Sequence, residues 1–260
     1  MLVIAMHKVA STEHRNMVAY MDKTACGVVY PLSIAEGIQP GEIYTDQDSA
    51  LFWHHSGFAF LFGPCEEAFL SCVYDHFLST ESTLSRRFVL FAENENVKQF
   101  FRKKKNLTWG KRYFFEYPNK SAKRFYAGGK GLSGNLRVCE ISRELLDKIE
   151  GTITPYFSWA DSCAFLRRGK GYCVVDGETA AAWAFSAAVS GEEMDIGVET
   201  KAAYRHLGLG TMVSERMVQY CLEQHKRPVW ACSADNAASK RLAEKAGFLK
   251  TAECETCKRI

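Results

Sequence analysis

The chain has 260 residues, of which 47% are hydrophobic and 24% charged, as is usual for a globular protein with a buried core. A formal net charge of +3 is too small to indicate nucleic acid as the main partner. No stretch reaches the roughly 18 apolar residues of a membrane span, so no membrane partner is expected.

The N-terminus lacks a basic region before its short apolar run, and the ten cysteines are scattered, which predicts a cytoplasmic protein with reduced thiols. The single C-x-x-C, Cys254 to Cys257, is half of a zinc site, so no metal is expected.

The first 115 residues mix helical and strand patterns and contain no motif with a recognisable chemistry. Hydrophobic periodicity predicts helices over 12–23, 66–78 and 96–104, a strand pair over 50–62 and a buried strand over 88–92. The basic stretch 102–112 is interpreted as a solvated helix end and loop. His54 and His55 adjoin within a strand, so they face opposite ways and cannot serve one site.

A glycine-rich run, Ala127–Asn135, holds four glycines in nine residues and has no apolar periodicity. It is typical of a linker. The sequence therefore predicts two domains, an N-terminal α/β domain over residues 1–125 and a second domain over residues 126–260.

The second half has a more regular pattern. A capping-box spacing from Ser158 to Asp161 predicts that a helix opens at Ser158. In chain order, the pattern predicts a strand at 136–141, helices at 142–150 and 158–168, strands at 171–176, 178–189 and 193–200, a helix at 211–225, a strand at 228–232 and a short helix at 237–246.

A glycine-containing loop, Tyr204–Thr211, lies between the third of these consecutive strands and the long helix. The first turn of a helix presents backbone N–H groups without intrahelical partners, and the helix dipole adds positive potential there. Gly208 and Gly210 lack the Cβ atoms that would keep a phosphate away, and Arg205 adds a cation with several donors. The loop therefore predicts an anion site suited to a pyrophosphate.

The motif order resembles the GNAT superfamily of acyl-CoA N-acyltransferases. The resemblance rests on Arg205-x-x-Gly208-x-Gly210, on Trp230-x-Cys232-x-x-Asp235-Asn236 and on Gly247-Phe248, and covers about residues 136–248. It implies an α+β (α/β) fold with a mixed central sheet in the C-terminal half. The N-terminal half would then be a smaller α/β domain or a degenerate GNAT-like half.

The resemblance also implies acetyl-CoA as cosubstrate, in a gap where two parallel strands separate, here 194–200 and 229–232. Asn236 would serve as a helix cap, a pantetheine contact or both. The residues implied to hold the cosubstrate are Ile196, Val198, Thr200, Arg205, His206, Leu207, Gly208, Leu209, Gly210, Thr211, Asn236 and Ser239.

The acceptor amine must be neutral to attack a thioester, so a base is required. Glu199 and Asp195 lie on one face of the strand and are either the catalytic carboxylates or solvent-facing ones, with Glu199 preferred. Many GNAT enzymes place a tyrosine seven residues after the asparagine as general acid, and Ala243 occupies that position here. The groups left to take this role are Ser239, Cys232, Tyr220 and water.

The resulting hypothesis is a cytoplasmic N-acetyltransferase that acts on a primary amine of a small molecule by direct attack. The alternatives are a lysine or peptide acetyltransferase, and an acyl-CoA-binding module without turnover. A single strand is expected after Phe248, because residues 249–260 contain no turn-forming residue. Its outer edge is expected to be covered by the N-terminal half, through residues 50–62.

Overall fold

The computed structural model describes residues 6–118 and 135–260, so most of the predicted linker, residues 127–134, lies outside the described residues. The chain divides into two compact units. The first comprises Met1–Tyr113, Ser233–Asp235 and Ala252–Ile260, and the second comprises Phe114–Cys232 and Asn236–Thr251.

The described residues form a mixed sheet with packed helices, which makes the fold α+β. In chain order they are β1 (His7–Lys8), a 3-10 helix (Ser11–Tyr20), α1 (Val29–Ala35), β2 (Gly41–Thr45), β3 (Ala50–His54), β4 (Phe58–Phe62), α2 (Glu67–Val73, continued by the π-helical turn Tyr74–Leu78), β5 (Val89–Ala92), α3 (Glu95–Arg102), β6 (Leu107–Glu116), β7 (Leu136–Glu140), α4 (Arg143–Leu146), a 3-10 turn (Pro155–Phe157), α5 (Ser162–Arg168), β8 (Gly171–Asp176), β9 (Thr179–Val189), β10 (Glu193–Thr200), a 3-10 turn (Ala202–Tyr204), α6 (Leu209–Glu223), β11 (Arg227–Ser233), α7 (Ala237–Lys245) and β12 (Leu249–Arg259).

The same order of strand pairing occurs in each unit. In the first, β1, β2, β3 and β4 pair antiparallel in sequence, and β5 then pairs parallel to β4 after the α2 crossover. In the second, β7, β8, β9 and β10 pair antiparallel in sequence, and β11 pairs parallel to β10 after the α6 crossover. The two units therefore share the same order of strand pairing.

The alanine-rich strand β9 explains how α6 packs closely on the second unit's sheet. Ala182 and Ala184 are fully buried and pair across the ladder with Thr200 and Val198 of β10. Helix α6 packs on β9, and its residues Val213 and Met217 are also fully buried. Trp183 lies on the opposite face of β9, since side chains alternate along a strand.

Several predicted boundaries were wrong for identifiable reasons. The helix expected from Ser158 begins at Ser162, because the carboxylate of Asp161 accepts the N–H of Ala164 at 2.8 Å and caps it. The helix expected over 142–150 is only the short α4. The basic stretch 102–112 begins at the end of α3 as predicted, but residues 107–112 belong to strand β6 rather than to a loop.

The chain ends in one strand, β12, as predicted. Its partner in the first unit is β5, with Thr256 opposite Phe91, and not the expected segment 50–62, which forms the β3–β4 hairpin. Among the described residues, no helix has the length and apolar character that crossing a bilayer requires.

Candidate active site

Strands β10 and β11 separate part-way along their length. Their parallel register joins Glu193 to Arg227, Met194 to Pro228 and Asp195 to Val229. Within the described residues no β11 partner follows for Ile196–Thr200, although these residues stay paired to β9. A register shift between Asp195 and Ile196 marks the point of separation. The backbone of Ile196, Val198 and Thr200 therefore borders a gap on one side.

The two faces of β10 have different neighbours. The sulfur of Met194 contacts the thiol of Cys221 on α6 at 3.5 Å, so the even-numbered side chains of β10 face that helix. Alternation then directs Asp195, Gly197 and Glu199 to the opposite face. Phe185 of β9 lies on that face, since its ring would meet a Cβ placed on Gly197 at 2.9 Å.

The loop before α6 is an exposed turn that leads into the helix N-terminus. Arg205, His206 and Leu207 are exposed, and His206 has a left-handed φ of 67°. Gly208 is the N-cap with φ 78°, and the position that its Cβ would take has nothing within 4 Å. The first turn of α6 thus opens onto free space with its unpaired N–H groups, as an anion site requires.

The other residues of the motif are less exposed than Arg205, His206 and Leu207. Leu209 is 2% exposed, so its side chain anchors the loop in the core and only its backbone can meet a ligand. A Cβ on Gly210 would lie 3.1 Å from Oγ1 of Thr200, so a side chain at position 210 would crowd the end of β10. Thr211 is half-buried in the same first turn.

The side chains of Asn236 and Ser239 both form hydrogen bonds to other residues of the protein. The side-chain oxygen of Asn236 accepts the N–H of Ser239 at 2.9 Å, which makes Asn236 the N-cap of α7. The hydroxyl oxygen of Ser239 accepts Nε1–H of Trp230 at 3.1 Å. Ala243 of the same helix is fully buried and supplies no hydroxyl.

Comparison with known proteins identifies the family. Residues 26–257 match the family model described as GNAT acetyltransferase. The chain belongs to the GNAT acetyltransferase family. The match spans both units, so membership extends to the N-terminal half, where no motif indicated it.

Relatives of this GNAT protein cover nearly its whole length. An uncharacterised N-acetyltransferase of Bacillus subtilis (strain 168), YdfB, is 25% identical over 240 residues, which are 89% of this chain and 90% of that protein. The fold is similar to a GCN5-related N-acetyltransferase-like protein from Streptococcus suis 89/1591, with a TM-score of 0.74, 20% identity and coverage of 96% and 100%. It is also similar to a tandem GNAT protein from the clavulanic acid biosynthesis pathway, with a TM-score of 0.63, 10% identity and coverage of 98% of each chain. The protein is therefore an acyltransferase enzyme of the GNAT fold.

The carboxylates of this GNAT site have unequal surroundings. Asp195 is 5% exposed and is the last residue of β10 that pairs with β11. Glu193, two residues earlier, is also buried and forms an ion pair with Arg227 at 2.7 Å. Burial raises the pKa of the Glu193 carboxyl, and the negative charge of Asp195 adds to this rise while Arg227 opposes it.

Glu199 is half-buried near the end of β10, and its Oε2 accepts the backbone N–H of Ile153 at 2.6 Å. The sequence pattern gave no indication of this contact, because Ile153 lies in a segment without periodicity. The buried ion pair of Glu193 was missed as well. Only its place two residues before Asp195, on the same face of a strand, could have suggested it.

Proposed function

We propose that this enzyme transfers an acetyl group from acetyl-CoA to the primary amine of a small molecule by direct attack. The observation that best supports this is the gap between β10 and β11 beyond Asp195, beside the open N-terminus of α6. Unpaired strand backbone suits the amides of a pantetheine arm, and a helix N-terminus with Arg205 suits a pyrophosphate. The net charge of +3 does not favour a basic peptide as the acceptor.

Of the two carboxylates expected to act as base, we assign proton removal to Asp195. A pyrophosphate at the start of α6 would lie beside Thr200, since Gly210 and Thr200 adjoin. The thioester is at the far end of the pantetheine arm, and an arm laid along β10 would direct it toward Asp195 and away from Thr200. The amine nitrogen then bonds to the thioester carbonyl carbon, its proton passes to Asp195 directly or through water, and the C–S bond breaks to release the thiolate. Because Ala243 carries no acidic group, the thiolate takes its proton from water.

A thiol-release assay across a panel of small primary amines, with a lysine-containing peptide for comparison, tests this proposal. We expect acetyl-CoA to release thiol with at least one small amine and much more slowly with the peptide. Faster release with the peptide would favour a peptide acetyltransferase. A thermal shift with acetyl-CoA but no thiol release with any acceptor would favour a binding module.

A further inference from the structure

A short segment before α5 is tied to the face of β9 and β10 that carries Asp195. Residues 151–159 are here called the strap. Near its start, the N–H of Ile153 donates to Oε2 of Glu199 at 2.6 Å, and the carbonyl of Ile153 accepts Nε1–H of Trp183 at 2.7 Å. At its end, Nε1–H of Trp159 donates to the carbonyl of Ser186 at 2.8 Å.

The two side chains that hold Ile153 are direct neighbours in the sheet. Glu199 and Trp183 are cross-strand partners in the β9–β10 ladder, so they present one acceptor and one donor to the same residue of the strap. The fit is close, because a Cβ on Gly151 would lie 2.5 Å from Oε2 of Glu199 and 2.8 Å from Cζ2 of Trp183. The strap therefore depends on both side chains and on a glycine at position 151.

The strap also covers part of the sheet surface on the side where an acceptor would approach Asp195. Its middle forms the 3-10 turn Pro155–Phe157, which packs on β9. Tyr156 is 46% exposed in this turn. Loss of the contact at Ile153 would release the strap from β10 without touching the loop before α6, which lies on the other face.

The hydrogen bond from Ile153 also limits the part that the Glu199 carboxylate can take in the reaction. A carboxylate that accepts an amide N–H at 2.6 Å has that oxygen occupied by a charge-assisted hydrogen bond. We propose that Glu199 is a positioning residue: it holds the strap in place beside the acceptor and does not take the proton from the amine. This inference rests on the proposed function, in which Asp195 takes that proton.

Two substitutions in the full-length protein distinguish positioning from proton removal. Glu199→Gln keeps an oxygen that can accept the Ile153 N–H but removes the basic carboxylate. Glu199→Ala removes both. Trp183→Phe removes the donor to the Ile153 carbonyl together with part of a buried ring. Glu192→Ala, which removes an exposed carboxylate just before β10, serves as the matched control. Hydrogen exchange of the strap and thiol release with the most active amine of the panel are both measured.

We expect Glu199→Ala to speed exchange of the strap about tenfold to a hundredfold, the usual range for loss of a hydrogen bond to a charged group. It should also raise KM for the amine and leave the Kd for acetyl-CoA unchanged. Trp183→Phe should have the same direction of effect, and Glu192→Ala should stay close to the wild type in both measurements. Glu199→Gln keeps a neutral hydrogen bond, so its strap exchange should lie between those of Glu199→Ala and the wild type, with most of the turnover kept.

Two results would overturn the inference. One is turnover lost in Glu199→Gln as completely as in Glu199→Ala while the strap exchanges as in the wild type, which would make Glu199 the base. The other is unchanged strap exchange in Glu199→Ala. If the wild type releases no thiol with any amine, the proposed function fails, and strap exchange alone still decides whether Glu199 anchors the strap.

Discussion

The position that a Cβ would take on Gly210 lies 3.1 Å from Oγ1 of Thr200, so α6 and the end of β10 meet closely at a residue that has no side chain. Gly208, two residues earlier, has nothing within 4 Å of the same position and a left-handed φ of 78°. One glycine of the motif thus serves packing, whereas the other leaves space open in front of the helix N-terminus. The two positions are expected to respond differently to substitution.

Gly208→Asp should abolish acetyl-CoA binding, because it adds bulk and negative charge where a phosphate is expected to lie. Gly177→Asp is the matched control, since Gly177 also has a left-handed φ, of 57°, and open space around its Cβ position. Both variants place a side chain at a left-handed φ, and only Gly208→Asp should lose affinity by calorimetry. Equal affinity in the two variants would remove the anion site from this loop.

Arg205→Ala should weaken acetyl-CoA binding about tenfold or more, the usual result of losing a charge-assisted hydrogen bond. The loss should shrink at high salt, because exposed charges are screened. Acetyl-pantetheine, which lacks the pyrophosphate, supplies the comparison. Its affinity should be the same for the variant and the wild type, and a parallel loss for both ligands would show that Arg205 acts through loop structure.

Asp195→Asn should lower kcat by about a hundredfold or more, as loss of a general base does, with little change in the Kd for acetyl-CoA. The control is Glu192→Gln, which neutralises an exposed carboxylate near the start of the same strand. Thermal unfolding of both variants is measured alongside, because Asp195 is buried. A folded Asp195→Asn enzyme with wild-type turnover would return proton removal to Glu199 or to water.

The sequence predicted the second unit better than the first, for physical reasons visible at particular residues. The β8–β9 turn at Asp176-Gly177 and the glycine at the start of α6 are local signals, so the consecutive strands and the long helix were predicted nearly at their observed bounds. Strand β6 was missed because its Lys111 and Arg112 continue the basic stretch that begins at Arg102. Lys111 instead pairs with Glu253 on β12 at 2.7 Å, a partner that no local pattern can reveal.

The sequence also predicted some parts of the candidate site and not others. The loop residues follow from glycine and helix-end chemistry, which operate over a few positions. The roles of Glu199 and Gly210 depend instead on Ile153 and Thr200, which lie far away in sequence or on a different element. Alternation could place Glu199 on the correct face of its strand, but it could not show which group that face meets.

His54→Asn should make the free energy of unfolding fall less steeply at acid pH. His54 is fully buried, and its burial, with the nearby charges of His55 and Arg86, lowers its pKa to about 3. Between pH 6.5 and 3 the unfolded chain binds a proton there that the folded chain does not. The free energy of unfolding therefore falls on acidification, by at most about 1.4 kcal/mol per pH unit from this group.

Asparagine keeps an acceptor for the N–H of Ser56, which donates to Nδ1 of His54 at 3.1 Å, but does not titrate. Urea unfolding between pH 7 and 4 should show a shallower decline for His54→Asn than for the wild type. His225→Asn is the control, because His225 is exposed and has a left-handed φ of 55° that asparagine tolerates. Parallel declines in all three proteins would mean that His54 is protonated in the folded state.

Residues 130–260 expressed alone should be insoluble or should lack fixed side-chain packing. Strand β12 ends in the first unit, where Cys254 and Cys257 are 4% and 1% exposed and Glu255 pairs with Ala92 of β5. A fragment without β5 and α3 leaves these thiols and the backbone edge of β12 uncovered, and such an edge promotes aggregation. Arg102 on α3, which bonds to Glu255 at 2.8 Å, is absent from the fragment as well.

Co-expression with residues 1–129 is the control and should restore soluble protein. A monomeric, cooperatively unfolding and fully active fragment would show instead that the C-terminal half needs nothing from the first 129 residues.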